Sequence, residues 1–192
     1  MGCQHGPGGK GDPGLSADEA RTHFAAWAIV SSPLTLSHDV NNKEVMDAVW
    51  PIISNKEAIA VNQAYAGHSG SAFKQSEDVV TLDEVDYAAV HKGMSVEDVA
   101  AVGPATAPSF QYYYKPMEAD GAKTAVLLMN NGAAAADLTL AFADIPGVTC
   151  SKCHVRDIWA RKDLGDFEGS FIAKAVASHD APFLVIQPAA KA

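Results

Sequence analysis

An α/β front followed by an all-β back is the fold class this sequence predicts. Two observations carry it. In the first third, two helix-start signatures flank a short apolar run; from residue 109 onward, short strand-like runs are separated by turn formers. At 192 residues with 48% apolar content, the chain has the material for one ordinary domain or a small pair.

The elements follow in order. Residues 1–15 read as loop, with Gly6-Pro7-Gly8-Gly9 and then Gly11-Asp12-Pro13-Gly14. The glycine run lacks both a preceding strand and the Gly-Lys-Ser/Thr ending of a phosphate cradle, so it reads as plain loop. Ser16-Ala17-Asp18-Glu19 is a capping box, and Ala20, Phe24, Trp27, Ala28 and Ile29 recur behind it at helical spacing. That helix is predicted to end before Pro33. Leu34-Thr35-Leu36 is short and apolar enough for a buried strand, and His38-Asp39 opens a loop. A second helix is expected over 43–50, interrupted by Pro51. A third is headed by the capping box Ser54-Asn55-Lys56-Glu57 and carries Ile59, Ala60 and Val61.

Past Tyr65 the pattern changes. Residues 67–108 read as an irregular insertion or linker with an acidic middle and one short helix over 95–101. Six strands are predicted over 110–115, 123–129, 137–142, 154–159, 170–176 and 183–187. Asp120-Gly121, Asn131-Gly132, Pro146-Gly147 and 166–169 supply the turns. Such spacing argues for an antiparallel sandwich or barrel. The domain reading is therefore 1–66, 67–108 and 109–192.

Charge and composition narrow the partners. Asp and Glu outnumber Lys and Arg by 23 to 14, a formal charge of −9, which repels phosphate backbones and anionic lipid. No nucleic-acid or membrane partner is expected. No apolar run reaches the ~18 residues of a spanning helix, and residues 1–14 lack the apolar core of a signal peptide. Cys150 and Cys153 form one Cys-x-x-Cys, with Cys3 apart. The two further ligands of a zinc site are not supplied, and His154 alternates away from Cys153 on a strand. No metal or other cofactor is expected, and the pair reads as a short-range disulfide or as two free thiols.

Several phrases, taken in order, resemble the C-terminal portion of the glycoside hydrolase family 27 α-galactosidases, the melibiases. They are Gly14 to Phe24 with Trp27-Ala28, then Ser32-Pro33-Leu34-Thr35-Leu36 with Asp39-Val40, then Ser54 to Gln63. Behind them come Tyr114-Lys115-Pro116 before Ala125 to Asn130, then Val155-Arg156-Asp157-Ile158-Trp159 with Asp163-Leu164-Gly165, then Val176 to Val185. Residues 72–109 depart from the pattern, and Gln63-Ala64-Tyr65 replaces the usual Gln-Asp.

The resemblance implies the last strand and helices of a (β/α)8 barrel, then a C-terminal antiparallel β-sandwich. It implies hydrolysis of terminal α-D-galactosyl residues with retention, and a secreted, lysosomal or vacuolar setting. The family's two catalytic aspartates, one of them in a Lys-Tyr-Asp segment, fall upstream of every matching phrase. No catalytic role is carried over to any residue here, and the isolated chain is expected to be inactive. An α-galactoside is the implied partner once the barrel is completed. The alternative is a non-catalytic structural or carbohydrate-contacting subunit, with a protein partner covering the barrel strand.

Other carboxylates and side chains are candidates for chemistry of their own. Asp39 follows the presumed strand and reads as a loop cap rather than a pocket acid. Asp83, Glu84 and Asp86 read as a solvated charge run. His179-Asp180 resembles half a triad without a nucleophile motif and reads as structural. His23 reads as a packed, hydrogen-bonded helix residue. Tyr112, Tyr113 and Tyr114 offer aromatic faces for a sugar, but alternation sets Tyr113 opposite its neighbours, so at least one belongs to the core.

Overall fold

The computed structural model describes residues 15–36, 38–81 and 106–190. Three helices open the chain: α1 (Ala17–Ile29), α2 (Lys43–Ile53) and α3 (Lys56–Gln63). The Ser16 capping box forms in full: Ser16 N–H donates to Glu19 Oε2 at 2.7 Å, and Glu19 N–H to Ser16 Oγ at 3.2 Å.

Two helix boundaries differ from the sequence expectation. Pro51 does not stop α2; it lies inside the last turn, where its missing N–H forfeits a single bond and Ile52 is buried in return. The cap of α3 is Asn55 rather than Ser54. Asn55 Oδ1 accepts from Glu57 N–H and Ala58 N–H, while its Nδ2 donates to Ile158 O at 2.9 Å. Ser54 instead closes α2, its hydroxyl donating to Trp50 O. The reversal between the helices is so tight that adjacent residues serve opposite ends.

The expected buried strand at 34–36 is also corrected. The segment joins no sheet, and Leu36 is 42% exposed. A parallel barrel strand bonds in a ladder, whereas here the Thr35 N–H turns back to Pro33 O at 3.0 Å.

Ten strands follow among the described residues: β1 (Ser71–Gln75), β2 (Val79–Thr81), β3 (Thr106–Pro108), β4 (Phe110–Pro116), β5 (Thr124–Asn130), β6 (Ala136–Ala141), β7 (Lys152–Asp157), β8 (Lys162–Glu168), β9 (Ser170–Val176) and β10 (Phe183–Pro188). One antiparallel sheet has the order β1-β4-β5-β10-β7-β8; β6 pairs with β9, and β2 with β3. The 67–108 stretch, expected to be irregular, thus contains an edge strand of the main sheet. The acidic residues Asp83, Glu84 and Asp86, the helix expected over 95–101, and Cys3 lie outside the described residues.

The main sheet is covered on both faces. On one side Val126, Leu128, Val155, Leu184 and Ile186 pack against Leu138, Leu140 and Phe171 of the β6–β9 pair. On the other, Ala125, Leu127, Phe183 and Val185 meet Phe24, Ala28, Ile29, Ile52, Ala58 and Val61 from the helices. The central strands β5 and β10 are therefore almost continuously apolar, as strands buried twice must be. The outcome is three layers: helices, a six-stranded sheet and a two-stranded sheet.

Candidate functional site

The charged groups that meet in space do so where the helices join the sheet. Asn55 anchors the start of α3 to the chain leaving β7, which sets Glu57 over the β7–β8 hairpin. On β7, His154 and Arg156 project from one face by period-two alternation. The register of β7 against β8 shifts between Val155 and Arg156, and this brings Asp163 within reach of both.

Arg156 is the hub. Its Nε and Nη2 donate to the two carboxylate oxygens of Glu57, each at 2.8 Å; Nη1 donates to Asp163 Oδ1 at 3.0 Å, and Nη2 also reaches Arg161 O. His154 bridges Asp166, 2.8 Å from Nδ1, and Asp163, 3.2 Å from Nε2. Beside this network lies a cleft of about 300 Å³, to which Met117 and Lys123 also contribute. The two-pronged guanidinium–carboxylate pair is the geometry in which an ion pair contributes most. Arg156→Ala is expected to lower the unfolding free energy measurably. A double-mutant cycle with Glu57→Ala, followed by urea denaturation, should find a favourable coupling; additive losses would mean the pair does not hold the layers together.

The arrangement is suited to joining layers rather than to bond cleavage. Retaining glycoside hydrolysis needs one carboxyl kept protonated as acid and another free as nucleophile. Glu57 and Asp163 are both tied to one guanidinium. Hydrogen bonds from Arg156, and then from His154, hold the Asp163 carboxyl below its ordinary pKa. Glu19 is lowered by the Ser16 N–H, and Asp137 by the Lys174 ammonium, so both shifts oppose an acid role.

The candidates named from sequence lie scattered. Asp39 is exposed and accepts from Asn41 N–H at 2.9 Å, a local turn. Asp180 pairs with Arg21 of α1 at 3.1 Å, and His179 lies 3.5 Å from Glu19, with its carbonyl accepting from the Thr22 hydroxyl. That pair fastens the loop before β10 to α1. Tyr112 is buried between the sheets, Tyr113 packs toward the helices, and Tyr114 stacks on His68 with ring centroids 5.2 Å apart. No open platform results from the three.

His23 needs correction. Its Nδ1 is buried without a hydrogen-bond partner among the described residues, while the ring sits edge-on to Trp27. Burial lowers its pKa. Cys150 and Cys153 are joined as a disulfide, which leaves neither thiolate for a metal. Sequence reasoning reads Glu57 only as a capping residue and 166–169 only as a turn. Their partners lie 99 and 12 residues away, beyond any local pattern.

Comparison with known proteins gives a consistent result. Residues 107–186 match the family described as alpha galactosidase C-terminal beta sandwich domain, and residues 9–64 match alpha galactosidase A. The alpha-galactosidase of Coffea arabica is 28% identical over 178 residues, covering 93% of this chain and 38% of that protein. Among solved structures, alpha-galactosidase I from Mortierella vinacea superposes with a TM-score of 0.66 at 25% identity, over 96% of this chain and 39% of that one. A GH27 β-L-arabinopyranosidase from Geobacillus stearothermophilus gives 0.70 at 17% identity, over 100% and 35%. The chain thus spans under two fifths of the length of each.

Proposed function

Because this chain belongs to the family 27 α-galactosidases, of which it represents a C-terminal portion, we propose that it closes and braces the catalytic barrel of a glycoside hydrolase acting on terminal α-D-galactosyl residues. The observation that carries this reading is the uncovered apolar surface of the helical layer. Trp50 and Val40 are each 58% exposed, Leu36 is 42% exposed, and Trp27 and Val30 are open as well. Exposed apolar side chains of this kind are what a covering barrel would bury. In this reading Leu34 to Leu36 takes the place of the last barrel strand.

Retention requires two carboxyl groups about 5–5.5 Å apart across the anomeric carbon. In this reading both come from strands outside these 192 residues. The chain contributes position. The Arg156–Glu57 pair, together with the Lys115 ammonium donating to Val61 O and Asn62 O, fixes α3 on the sandwich, and Asn62 Nδ2 of α3 donates to Ser32 O at 2.8 Å just before Leu34. Galactose is the favoured sugar, since the Coffea arabica and Mortierella vinacea relatives are named for it.

The test is an assay of the purified 192-residue chain on p-nitrophenyl α-D-galactopyranoside. The expected rate is that of buffer alone. Turnover that rises with chain concentration and survives further purification would end the reading, because it would require a carboxyl pair within this polypeptide.

A further inference from the structure

His154 has an acceptor at each ring nitrogen. Asp166 Oδ1 lies 2.8 Å from Nδ1, and Asp163 Oδ1 lies 3.2 Å from Nε2. Ionised carboxylates only accept hydrogen bonds, and a neutral imidazole owns a single N–H. Only the imidazolium donates to both. In the neutral ring, one nitrogen lone pair faces a carboxylate oxygen, and that contact turns repulsive.

Asp163 is shared: it also accepts from Arg156, whose other two nitrogens hold Glu57 of α3. We infer that His154 is a pH-sensitive latch, which when protonated draws Asp163 and Asp166 of β8 together beneath Arg156 and tightens the hold of the sandwich on α3. When His154 is neutral, β8 loosens at its edge and Asp163 no longer backs the Arg156–Glu57 pair. This inference does not depend on the hydrolase reading, since every group in it belongs to this chain.

The surrounding charges favour the protonated ring. From β8 the facing groups are Asp163 and Asp166; from α3 it is Glu57, already neutralised by Arg156. Lys123, which shares the cleft, is paired with Glu118 at 3.3 Å. On β10 the neighbour in register is the uncharged Gln187. Hydrogen bonds from the ring to Asp166, then to Asp163, raise the His154 pKa above its ordinary 6.5. The sign follows from a raised folded-state value. The stabilisation is fully present below the unfolded pKa and is lost as pH climbs through the folded one.

The experiment is a ring-proton NMR titration of His154 in the 192-residue chain. The midpoint is expected above 6.5, and Asp166→Asn should bring it down. An ordinary or lower midpoint in the unaltered chain overturns the latch. Amide exchange across α3, corrected for the intrinsic rate at each pH, tests the link to the helix. It should open several-fold faster at about pH 8.5 than at about pH 5.5 in the native chain, and equally at both in His154→Gln. The same ratio in native and variant proteins also overturns it, because α3 would then be indifferent to the ring.

Discussion

Lys115→Ala is expected to destabilise the chain by about 3 kcal/mol, more than any surface charge deletion. Lys115 shares with Tyr113 the face of β4 that alternation turns toward the helices, and it is fully buried. Its ammonium donates to Val61 O at 2.6 Å and to Asn62 O at 3.0 Å. These carbonyls belong to the last turn of α3, where no intrahelical N–H remains to meet them. A cation there also opposes the negative end of the helix dipole. Burial pushes the ammonium's pKa down from its usual 10.5, so these acceptors are what keep the charge tolerable inside. Alanine removes both donors and leaves a void beneath them. Lys115→Met retains most of the volume and loses only the donors, so about half the effect is expected. Urea denaturation followed by circular dichroism measures both. A loss below about 1 kcal/mol for the alanine variant would mean that water enters and serves the carbonyls instead.

How much of this is legible in the sequence depends on where the determining contact lies. The capping box at Ser16 is local, and it forms as read. The central strands are legible because burial on two faces writes itself as an unbroken apolar run: Ala125 to Met129 and Phe183 to Ile186. The edge strands are not. Strand β8 is Lys162 to Glu168, charged or glycine at five of its seven positions, so its pattern marks no strand and 166–169 reads as a turn. Edges are kept polar because an apolar edge invites further strands to add, so the property that protects β8 also hides it. Strand β1 is short and shifts register between Ala72 and Lys74, which breaks the alternation that would have marked it. The junction network is unreadable for a different reason. Glu57, Arg156 and Asp163 are ordinary surface residues in sequence, and only the docking of α3 on β7 brings them together.

Gly70→Ala is expected to lower stability by about 3 kcal/mol or more and to separate α1 from the sheet edge. Gly70 has φ +93, a region side chains rarely enter, and it precedes β1. A Cβ there would fall 1.9 Å from Ile29 O, 2.9 Å from Ile29 C and 3.3 Å from Tyr114 O. All three are backbone atoms, so no rotamer change relieves the clash. Ile29 is the last residue of α1 and is fully buried in the helix–sheet core, so relief requires α1 or β1 to move as a body. Gly67 provides the control. Its φ is +81, yet a Cβ added there would meet nothing within 4 Å, so Gly67→Ala should cost only the conformational penalty of about 1 kcal/mol. Thermal unfolding of the two variants separates strain from contact. If they fall together, the approach of Gly70 to Ile29 contributes nothing beyond backbone conformation, and the tight seam between helix and strand is not what joins these layers.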